Sequence, residues 1–227
     1  MVARATGFLY RNEIGQPHLI TNKHVVWEPK DNHYPDFLIA HVRVVEGTTN
    51  KTKMSKTRKI RFELNEGSRK MWKAFRSKAD IAALEIDETE VKDWKVTYLS
   101  SNDSLPEDSN FLLGSEALVL GFPEVDFYDE VSNLPFARSA TIATDHRSKF
   151  NKKRCFLIDA RTHDGMSGSP VVSLPRSIYE KDNRLVYEDT NCYLLGVFSS
   201  EWRYGDMPLG LNIVWWPELI EETTQLL

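Results

Sequence analysis

Cysteine is scarce in this sequence, which contains only Cys155 and Cys192 among its 227 residues. Two cysteines are too few to crosslink a domain of this size, so the class of small disulfide-rich secreted proteins is excluded. We therefore expect both side chains to be thiols, as is usual in a reducing compartment. On this ground the sequence favours a cytoplasmic protein.

Long hydrophobic runs and an excess of one charge are also missing. No stretch approaches the roughly 18 apolar residues of a membrane span, and Asn12 and Glu13 interrupt the N-terminal segment before it reaches the length of a signal peptide. The 29 basic and 33 acidic residues leave a formal net charge of −4. A global positive field for nucleic acid is therefore absent. We expect no membrane association and no nucleic-acid partner.

Helical patterns are nearly absent before the C-terminus. Short runs that are β-branched, or that alternate apolar with polar residues, predict strands instead. These runs are GFLY, HLITN, DFLIAHVRVV, KIRFEL, DIAALEI, EALVLGF, RSATIAT, RCFLIDA, SPVVSL, CYLLGVFS and LGLNIVWW. Residues 217–227 predict a helix, since Pro217 suits a first helical position and Leu219 and Ile220 share a face with Thr223. The pattern is typical of an all-β barrel or sandwich with one terminal helix.

Polar stretches at residues 47–59, 145–154 and 175–190 predict surface insertions between strands. The first two stretches are basic, and the third is mixed in sign. Such charge runs usually cover a solvated face, although a basic run also suits an anionic partner. In both interpretations the three stretches lie outside the core.

Residues 162–172, THDGMSGSPVV, combine glycine, serine and proline directly before a β-branched run. Gly165 and Gly168 indicate a backbone that turns tightly or approaches another group closely, because only glycine adopts positive φ without a steric cost. Ser167 lies between them, where its hydroxyl could point into a cleft. A plain tight turn entering a strand is the alternative, because these residue types dominate turns.

A serine nucleophile needs a base, and the base needs a carboxylate that orients it. His24 follows an apolar strand end and a Thr-Asn turn and precedes two valines, which places it at a strand-to-turn junction facing a core. Asp80 stands directly before Ile-Ala-Ala-Leu, where a lone buried carboxylate would be costly. A turn or capping role is the alternative for Asp80. The order His24, Asp80, Ser167 is that of the chymotrypsin arrangement.

These segments together resemble the chymotrypsin-fold serine peptidases, and most of all the bacterial trypsin-like and HtrA-like branch. The resemblance rests on HLITNKHVV, DIAALEI, LVLGFP and DGMSGSPVV, which follow the family order from Gly7 to about Trp216. It implies two antiparallel six-stranded β-barrels, near residues 1–100 and 101–216, with a short C-terminal helix at 217–227 packing back on them. Residues 1–227 would then form a single trypsin-like peptidase domain.

The resemblance also implies a role for each motif residue. Ser167 would be the nucleophile, His24 the general base and then acid, and Asp80 the carboxylate that holds the imidazole tautomer. The N–H groups of Gly165 and Ser167 would form the oxyanion hole, and Ser199 would be the serine beside the buried aspartate. The implied activity is that of a serine endopeptidase that cleaves polypeptides through an acyl-enzyme, with no metal or other cofactor.

The sequence departs from the family pattern before the nucleophile. Met166 stands where relatives often carry Asp or Asn, and trypsins pair that aspartate with a freed N-terminus. Activation by such a cleavage is therefore not expected. We also expect no PDZ-like extension after residue 227, and hence no HtrA-style control by peptides. Activation by a protein partner is an alternative that the resemblance leaves open.

The residues implied for the specificity pocket give conflicting signals. The resemblance puts Arg161 at the pocket base, Thr162 beside it and Gly210 in a wall, which favours an acidic side chain before the cleaved bond. Glu201 on the opposite wall would instead neutralise Arg161 and favour small or apolar side chains. A third alternative is that Arg161 points to solvent. The first two alternatives disfavour Lys or Arg in the pocket, and we expect an acidic or uncharged side chain there.

Two other functional classes fit parts of the sequence. A non-catalytic peptide-binding module on a protease fold predicts a broken triad, whereas His24, Asp80 and Ser167 are all present. A hydrolase of another fold is disfavoured, because GMSGS departs from the G-x-S-x-G pattern of α/β-hydrolases. Reaction of Ser167 with a serine-directed probe discriminates between these classes.

Overall fold

The computed structural model describes residues 4–31, 33–49, 52–74, 79–106, 109, 111–123, 133–174, 178–181, 184–187 and 192–226, and the strands of its sheets pair antiparallel. The strands are β1 Phe8–Arg11, β2 Pro17–Thr21, β3 Phe37–Thr49, β4 Thr52–Glu63, β5 Asn65–Glu66, β6 Arg69–Lys70, β7 Lys73–Ala74, β8 Ala82–Glu85, β9 Glu116–Gly121, β10 Phe136–Ile142, β11 Cys155–Asp159, β12 Pro170–Ser173, β13 Ile178–Lys181, β14 Arg184–Tyr187, β15 Leu194–Tyr204 and β16 Met207–Trp215. The helices are α1 Lys23–Val26, α2 Glu88–Val91 and α3 Glu218–Thr224, with 3₁₀ turns at Pro29–Asp31 and Ser101–Asp103. Each run that was predicted to be a strand overlaps one of these strands.

A closed six-stranded barrel forms the second half of the chain, with its strands in the order β10-β11-β16-β15-β12-β9. Strand β9 shows the two-residue period of such a wall, since Ala117 and Val119 are buried while Glu116 is exposed. The buried side chains fill one core, which includes Phe156, Met166 and Val214. Because closure leaves no unpaired edge, the barrel is a rigid frame for the segment between β11 and β12.

A second closed barrel is not seen among the described residues, in contrast to the expectation for residues 1–100. Strands β1, β2, β8 and β7 form a four-stranded sheet, while β3 and β4 pair with each other as a separate hairpin. The sheet and the hairpin still enclose a common core, to which Leu19, Val44, Phe62 and Leu84 contribute. Among the described residues, β3 and β4 form a ladder only with each other, so the two layers pack by side chains without a continuous ladder.

Two of the three predicted insertions contain strands. The stretch 47–59 contains the end of β3 and most of β4, and the stretch 175–190 contains β13 and β14, although 50–51, 175–177, 182–183 and 188–190 lie outside the described residues. Within this stretch of β4, Ser55 and Thr57 are half-buried whereas Lys56 and Arg58 are exposed. The basic outer face concealed this alternation. Residues 145–154 connect β10 to β11 by turns, as predicted.

Helix α3 joins the two halves of the chain. It begins after Pro217, which is its N-cap and not its first helical residue. Ile220 is buried in a core shared with Tyr10, and the Tyr10 hydroxyl donates to Glu221 Oε2 at 3.1 Å. On the barrel side, Arg154 Nη2 donates to Glu222 Oε2 at 2.6 Å. Within the described residues, no helix has the length and apolar character needed to cross a membrane.

Candidate active site

His24 and Asp80 form a close pair at the mouth of the N-terminal sheet. Helix α1 follows β2 after Asn22 and carries His24, while Asp80 lies two residues before β8, the strand that pairs with β2. The distance from His24 Nδ1 to Asp80 Oδ2 is 2.6 Å, and the His24 backbone N–H donates to Asp80 Oδ1 at 3.0 Å. We assign the imidazole proton to Nδ1, because a carboxylate can only accept. Nε2 is then the basic nitrogen.

Asp80 is held as a carboxylate by this environment. Besides the two donors of His24, its Oδ2 accepts the Ser199 hydroxyl at 2.7 Å. Burial by itself raises the pKa of Asp80. The hydrogen bonds and charge of His24, together with the hydrogen bond from Ser199, lower this pKa by more than burial raises it, so the pKa lies below its usual range. Asp80 is therefore ionised at neutral pH, where it can orient the imidazole.

Asn22 also contributes to this pair, and sequence reasoning missed it. Its side chain is fully buried, and Nδ2 donates to the backbone carbonyl of Asp80 at 2.7 Å. The residue that links β2 to the helix of His24 therefore also holds the main chain of Asp80. A polar side chain between an apolar strand and a candidate base is the signal that could have pointed to it.

The segment around Ser167 adopts the glycine-dependent shape that its sequence predicts. Gly165 has φ +89° and Gly168 has φ +86°, values that other residues rarely adopt. A Cβ at Gly168 would also overlap Thr6 O and Thr21 Oγ1. Both predicted reasons for glycine, a tight turn and a close approach, are thus present on the two sides of Ser167.

Ser199 connects the nucleophile candidate to the carboxylate. The Ser167 hydroxyl donates to the Ser199 carbonyl at 3.2 Å, while the Ser199 side chain donates to Asp80. Strand β15 carries Ser199 between the barrel and the N-terminal sheet. His24, Asp80, Ser199 and Ser167 are therefore brought together in one hydrogen-bonded series, although they lie far apart in the chain.

Two backbone amides beside Ser167 are open to an incoming oxygen. Among the described residues, neither the N–H of Gly165 nor that of Ser167 has a hydrogen-bond acceptor. Met166 N–H donates to His163 O at 3.2 Å, and this bond with positive φ at Gly165 is the pattern of a type II turn. The His163 carbonyl thus shapes the loop. The two amides have the character of an anion-binding pair.

The direction of the Ser167 amide depends on Ser169, a second residue that sequence reasoning did not single out. The Met166 carbonyl accepts the N–H of Ser169 at 3.0 Å and its hydroxyl at 2.6 Å. The C=O and N–H of a trans peptide point in opposite directions, so the N–H of Ser167 is directed away from Ser169. Met166 itself is fully buried in the barrel core.

Arg161 and Glu201 are not paired with each other among the described residues. Arg161 is exposed and lines, with Glu116 and Asp159, a cavity of about 250 Å³ whose lining does not include the triad candidates. Glu201 Oε1 accepts the N–H of Gly210 at 3.2 Å, and its Oε2 lies 3.6 Å from Arg203 Nη1. Neutralisation of Arg161 by Glu201, one of the sequence alternatives, is therefore not observed.

Thr162, another candidate pocket residue, forms a hydrogen bond with the side chain of Asn212. Its Oγ1 donates to Asn212 Oδ1 at 3.0 Å, and Asn212 Nδ2 donates to Ala160 O at 2.7 Å. Asn212 is almost completely buried and was not recognised in the sequence. Gly210 lies on the same strand with φ +70°, and a Cβ there would meet open space. Its backbone conformation therefore explains this glycine better than crowding does.

The remaining reactive groups lie outside this arrangement. Cys155 is buried and Cys192 exposed, and both are free, which confirms the prediction of thiols. Burial raises the pKa of Cys155. Cys155 begins β11, whereas Cys192 precedes β15 and is not on a strand. Within the described ranges, no group of three or more His, Cys, Asp or Glu side chains could hold a metal ion.

Comparison with known proteins places this geometry in a family. The family model for the trypsin-like peptidase domain matches residues 5–176. Among solved structures, the HtrA-type protease AlgW with decapeptide has 15% identity and a TM-score of 0.49, over 92% of this chain and 47% of that chain. The chain thus spans about half of that protein's length.

Two further structures are of the Rv3671c protease from M. tuberculosis. Its active form has 15% identity and a TM-score of 0.48, over 98% of this chain and 73% of that chain. An inactive mutant form has 15% identity and a TM-score of 0.47, over 97% and 79%. A search of curated proteins finds no significant match. Because the family model covers most of the chain, including His24, Asp80 and Ser167, the chain belongs to the trypsin-like peptidase domain family.

Proposed function

We propose that the protein is a serine endopeptidase with Ser167 as nucleophile, His24 as base and Asp80 as the orienting carboxylate. The observation that carries the proposal is the hydrogen-bonded series from His24 through Asp80 and Ser199 to Ser167. The amides of Gly165 and Ser167 beside it, which have no acceptor among the described residues, would serve as the oxyanion hole. A binding module has no need for this combination.

Acylation begins when the Ser167 hydroxyl turns from the Ser199 carbonyl toward His24 Nε2. Ser167 Oγ attacks the peptide carbonyl carbon and its proton passes to Nε2, while the carbonyl oxygen becomes an oxyanion on the amides of Gly165 and Ser167. The C–N bond then breaks, and the imidazolium returns the proton to the leaving amine. The N-terminal part of the substrate remains on Ser167 as an ester.

Deacylation repeats these steps with water. His24 takes a proton from the water, whose oxygen attacks the ester carbonyl, and the same two amides bind the second oxyanion. Cleavage of the ester returns the proton from His24 to Ser167 Oγ and releases a carboxylic acid. Asp80 accepts from Nδ1 throughout, and its negative charge stabilises the imidazolium. Every proton is supplied by the chain or by water, so no cofactor is required.

Reaction with a fluorophosphonate probe tests the proposed function. Ser167 Oγ would displace fluoride from phosphorus and retain the phosphonyl group, a reaction that needs a base and an oxyanion site. We expect a mass increase of one phosphonyl group, located on the peptide that contains Ser167. An unlabelled protein would instead indicate a peptide-binding module on this fold.

Labelling should accelerate as the pH rises through the range in which an imidazole loses its proton, and then level off. His24 must be neutral to accept the proton of Ser167. Because the pKa of Asp80 is lowered, its carboxylate stays ionised there, and its contribution to stability is lost only as the pH falls through its folded-state pKa. The measurement is the labelling rate against pH, with folding followed by circular dichroism. A rate that stays constant from acid to alkaline pH would contradict a histidine base.

We further propose that the pocket before the cleaved bond is uncharged, with Thr162 and Asn212 at its base. Arg161 is exposed and lines a different cavity, whereas Thr162 and the buried Asn212 bind each other. In a peptide-library profile, Lys and Arg should be poor at the residue before the cleaved bond. Arg161→Ala should leave this profile unchanged, whereas Thr162→Val should shift it toward apolar side chains. A profile dominated by Lys and Arg, or one that changes in Arg161→Ala, would refute the assignment.

A further inference from the structure

Thr6 contacts the oxyanion loop, which we define as residues 163–169, through both its backbone and its side chain. The Thr6 N–H donates to Ser167 O at 2.9 Å, and Thr6 Oγ1 donates to Gly165 O at 2.8 Å. Thr6 Oγ1 also accepts the N–H of Phe122 at 2.9 Å. Because Thr6 is only 3% exposed, these bonds hold its side chain in one orientation.

The two carbonyls that Thr6 binds belong to the two residues whose amides would form the oxyanion hole. Gly165 and Ser167 each have a C=O bound by Thr6 and an N–H without an acceptor among the described residues. The peptide between Gly165 and Met166 is held at both ends, since Met166 N–H donates to His163 O. Thr6 therefore fixes the Gly165–Met166 and Ser167–Gly168 peptides through their carbonyl groups.

The oxyanion loop cannot keep this shape by local preference alone. Glycine adopts negative φ as readily as positive φ, so rotation at Gly165 could swing its N–H out of the cleft without a steric barrier. Gly165 is buried, and a buried carbonyl that lacks a donor is costly. The bond from Thr6 Oγ1 to Gly165 O therefore fixes the Gly165–Met166 peptide, which lies between the two peptides that carry the N–H groups of Gly165 and Ser167.

We infer that Thr6 is a positioning residue for transition-state stabilisation, because its hydroxyl holds Gly165 so that the amides of Gly165 and Ser167 converge on the oxyanion. The inference rests on the serine peptidase function proposed above. It gives the segment before β1 a role in the chemistry, although the Ser167 atom that Thr6 binds is the backbone carbonyl oxygen and not the nucleophilic hydroxyl.

The decisive variant is Thr6→Val, which removes the hydroxyl and keeps the backbone N–H and the side-chain shape. The phosphonyl oxygen of a fluorophosphonate occupies the position of the oxyanion, so labelling reports on the loop. We expect the maximal labelling rate to fall about 10-fold to 100-fold, somewhat less than the loss caused by removing an oxyanion donor directly. The probe concentration for half-maximal rate should change little. Thr6→Ser, which keeps the hydroxyl, should restore most of the rate.

Thr223→Val is the matched control. Thr223 is also a fully buried threonine, and its Oγ1 donates to a backbone carbonyl, that of Leu219, at 2.6 Å within α3. This variant loses a hydrogen bond of the same kind away from the oxyanion loop. It should lower the melting temperature and leave the labelling rate of folded protein unchanged. All rates are measured at a temperature at which circular dichroism shows the variants to be folded.

The possible results separate the inference from the proposed function. If Thr6→Val labels as fast as Thr223→Val, or if Thr6→Ser is as slow as Thr6→Val, the positioning role is wrong while the peptidase assignment stands. If the wild-type chain itself is not labelled, the proposed function fails and the inference fails with it. Should Thr6→Val not fold, Thr6→Ala removes the same hydroxyl and is judged by the same comparison.

Discussion

Ser167→Ala should fold normally, take up no fluorophosphonate and lose peptidase activity by roughly 10⁶-fold, the size of loss expected when a nucleophilic serine is removed. Among the described residues, the Ser167 hydroxyl makes one hydrogen bond, to the Ser199 carbonyl at 3.2 Å, and Ser167 is only partly buried. Its loss should therefore leave the fold intact. Intact mass after labelling and the rate of peptide hydrolysis measure the effect.

Ser200→Ala is the control for this substitution. Ser200 follows Ser199 on β15 and is exposed, so it offers a hydroxyl near the site without the bonds that join Ser167 to it. Its loss should change neither the adduct mass nor the hydrolysis rate. Undiminished hydrolysis by Ser167→Ala, or an adduct found on another residue, would refute the assignment of the nucleophile.

Asp80→Asn should retain the fold and lose about 10⁴-fold in the rate of hydrolysis, the loss associated with a wrong imidazole tautomer. The Asp80 carboxylate accepts from His24 Nδ1, the His24 backbone N–H and the Ser199 hydroxyl. An amide has one oxygen to accept these bonds, and its NH₂ group must face a former donor. If that group faces Nδ1, the imidazole proton moves to Nε2, which then cannot accept the proton of Ser167.

Asp87→Asn is the matched control for this second prediction. Asp87 is the N-cap of α2 and accepts the N–H of Thr89 at 2.9 Å, so it represents the capping role that was the alternative for Asp80. It should leave hydrolysis unchanged. Ser199→Ala, which removes one donor to Asp80 and keeps its charge, should fall between the two in activity. Equal rates for Asp80→Asn and Asp87→Asn would mean that Asp80 only shapes a turn.

The sequence located the candidate site because its chemistry is concentrated in short segments. His24, Asp80 and Ser167 each lie beside a strand that can be recognised from a two-residue period or a β-branched run. Gly165 and Gly168 mark the turn that contains Ser167. These are local signals. Each depends on which residue types can adopt a given φ or line a given face, so no knowledge of distant contacts was needed.

The pocket shows where such signals end. The family resemblance placed Arg161 at the pocket base, and in the structure Arg161 is exposed and lines a cavity with Glu116 and Asp159. The next residue, Thr162, instead meets Asn212, which is 50 residues further along the chain. A change of one residue in the length of the loop would exchange the directions of two neighbouring side chains. The spacing from Ser167 therefore does not specify which of the two faces inward.

The strands, the terminal helix, the glycine turn and the order of the candidate triad were determined by the sequence alone, because each reflects a preference that acts over a few residues. Closure of the barrel, the separate pairing of β3 with β4 and the contact of Thr6 with Gly165 were decided only by the tertiary structure. Thr6 and Gly165 are 159 residues apart, and their hydrogen bond forms because burial leaves a carbonyl that one nearby hydroxyl can satisfy. The residues around Thr6, in ATGF, do not indicate this hydrogen-bond partner, because the packing of the two halves of the chain determines which group lies beside the hydroxyl.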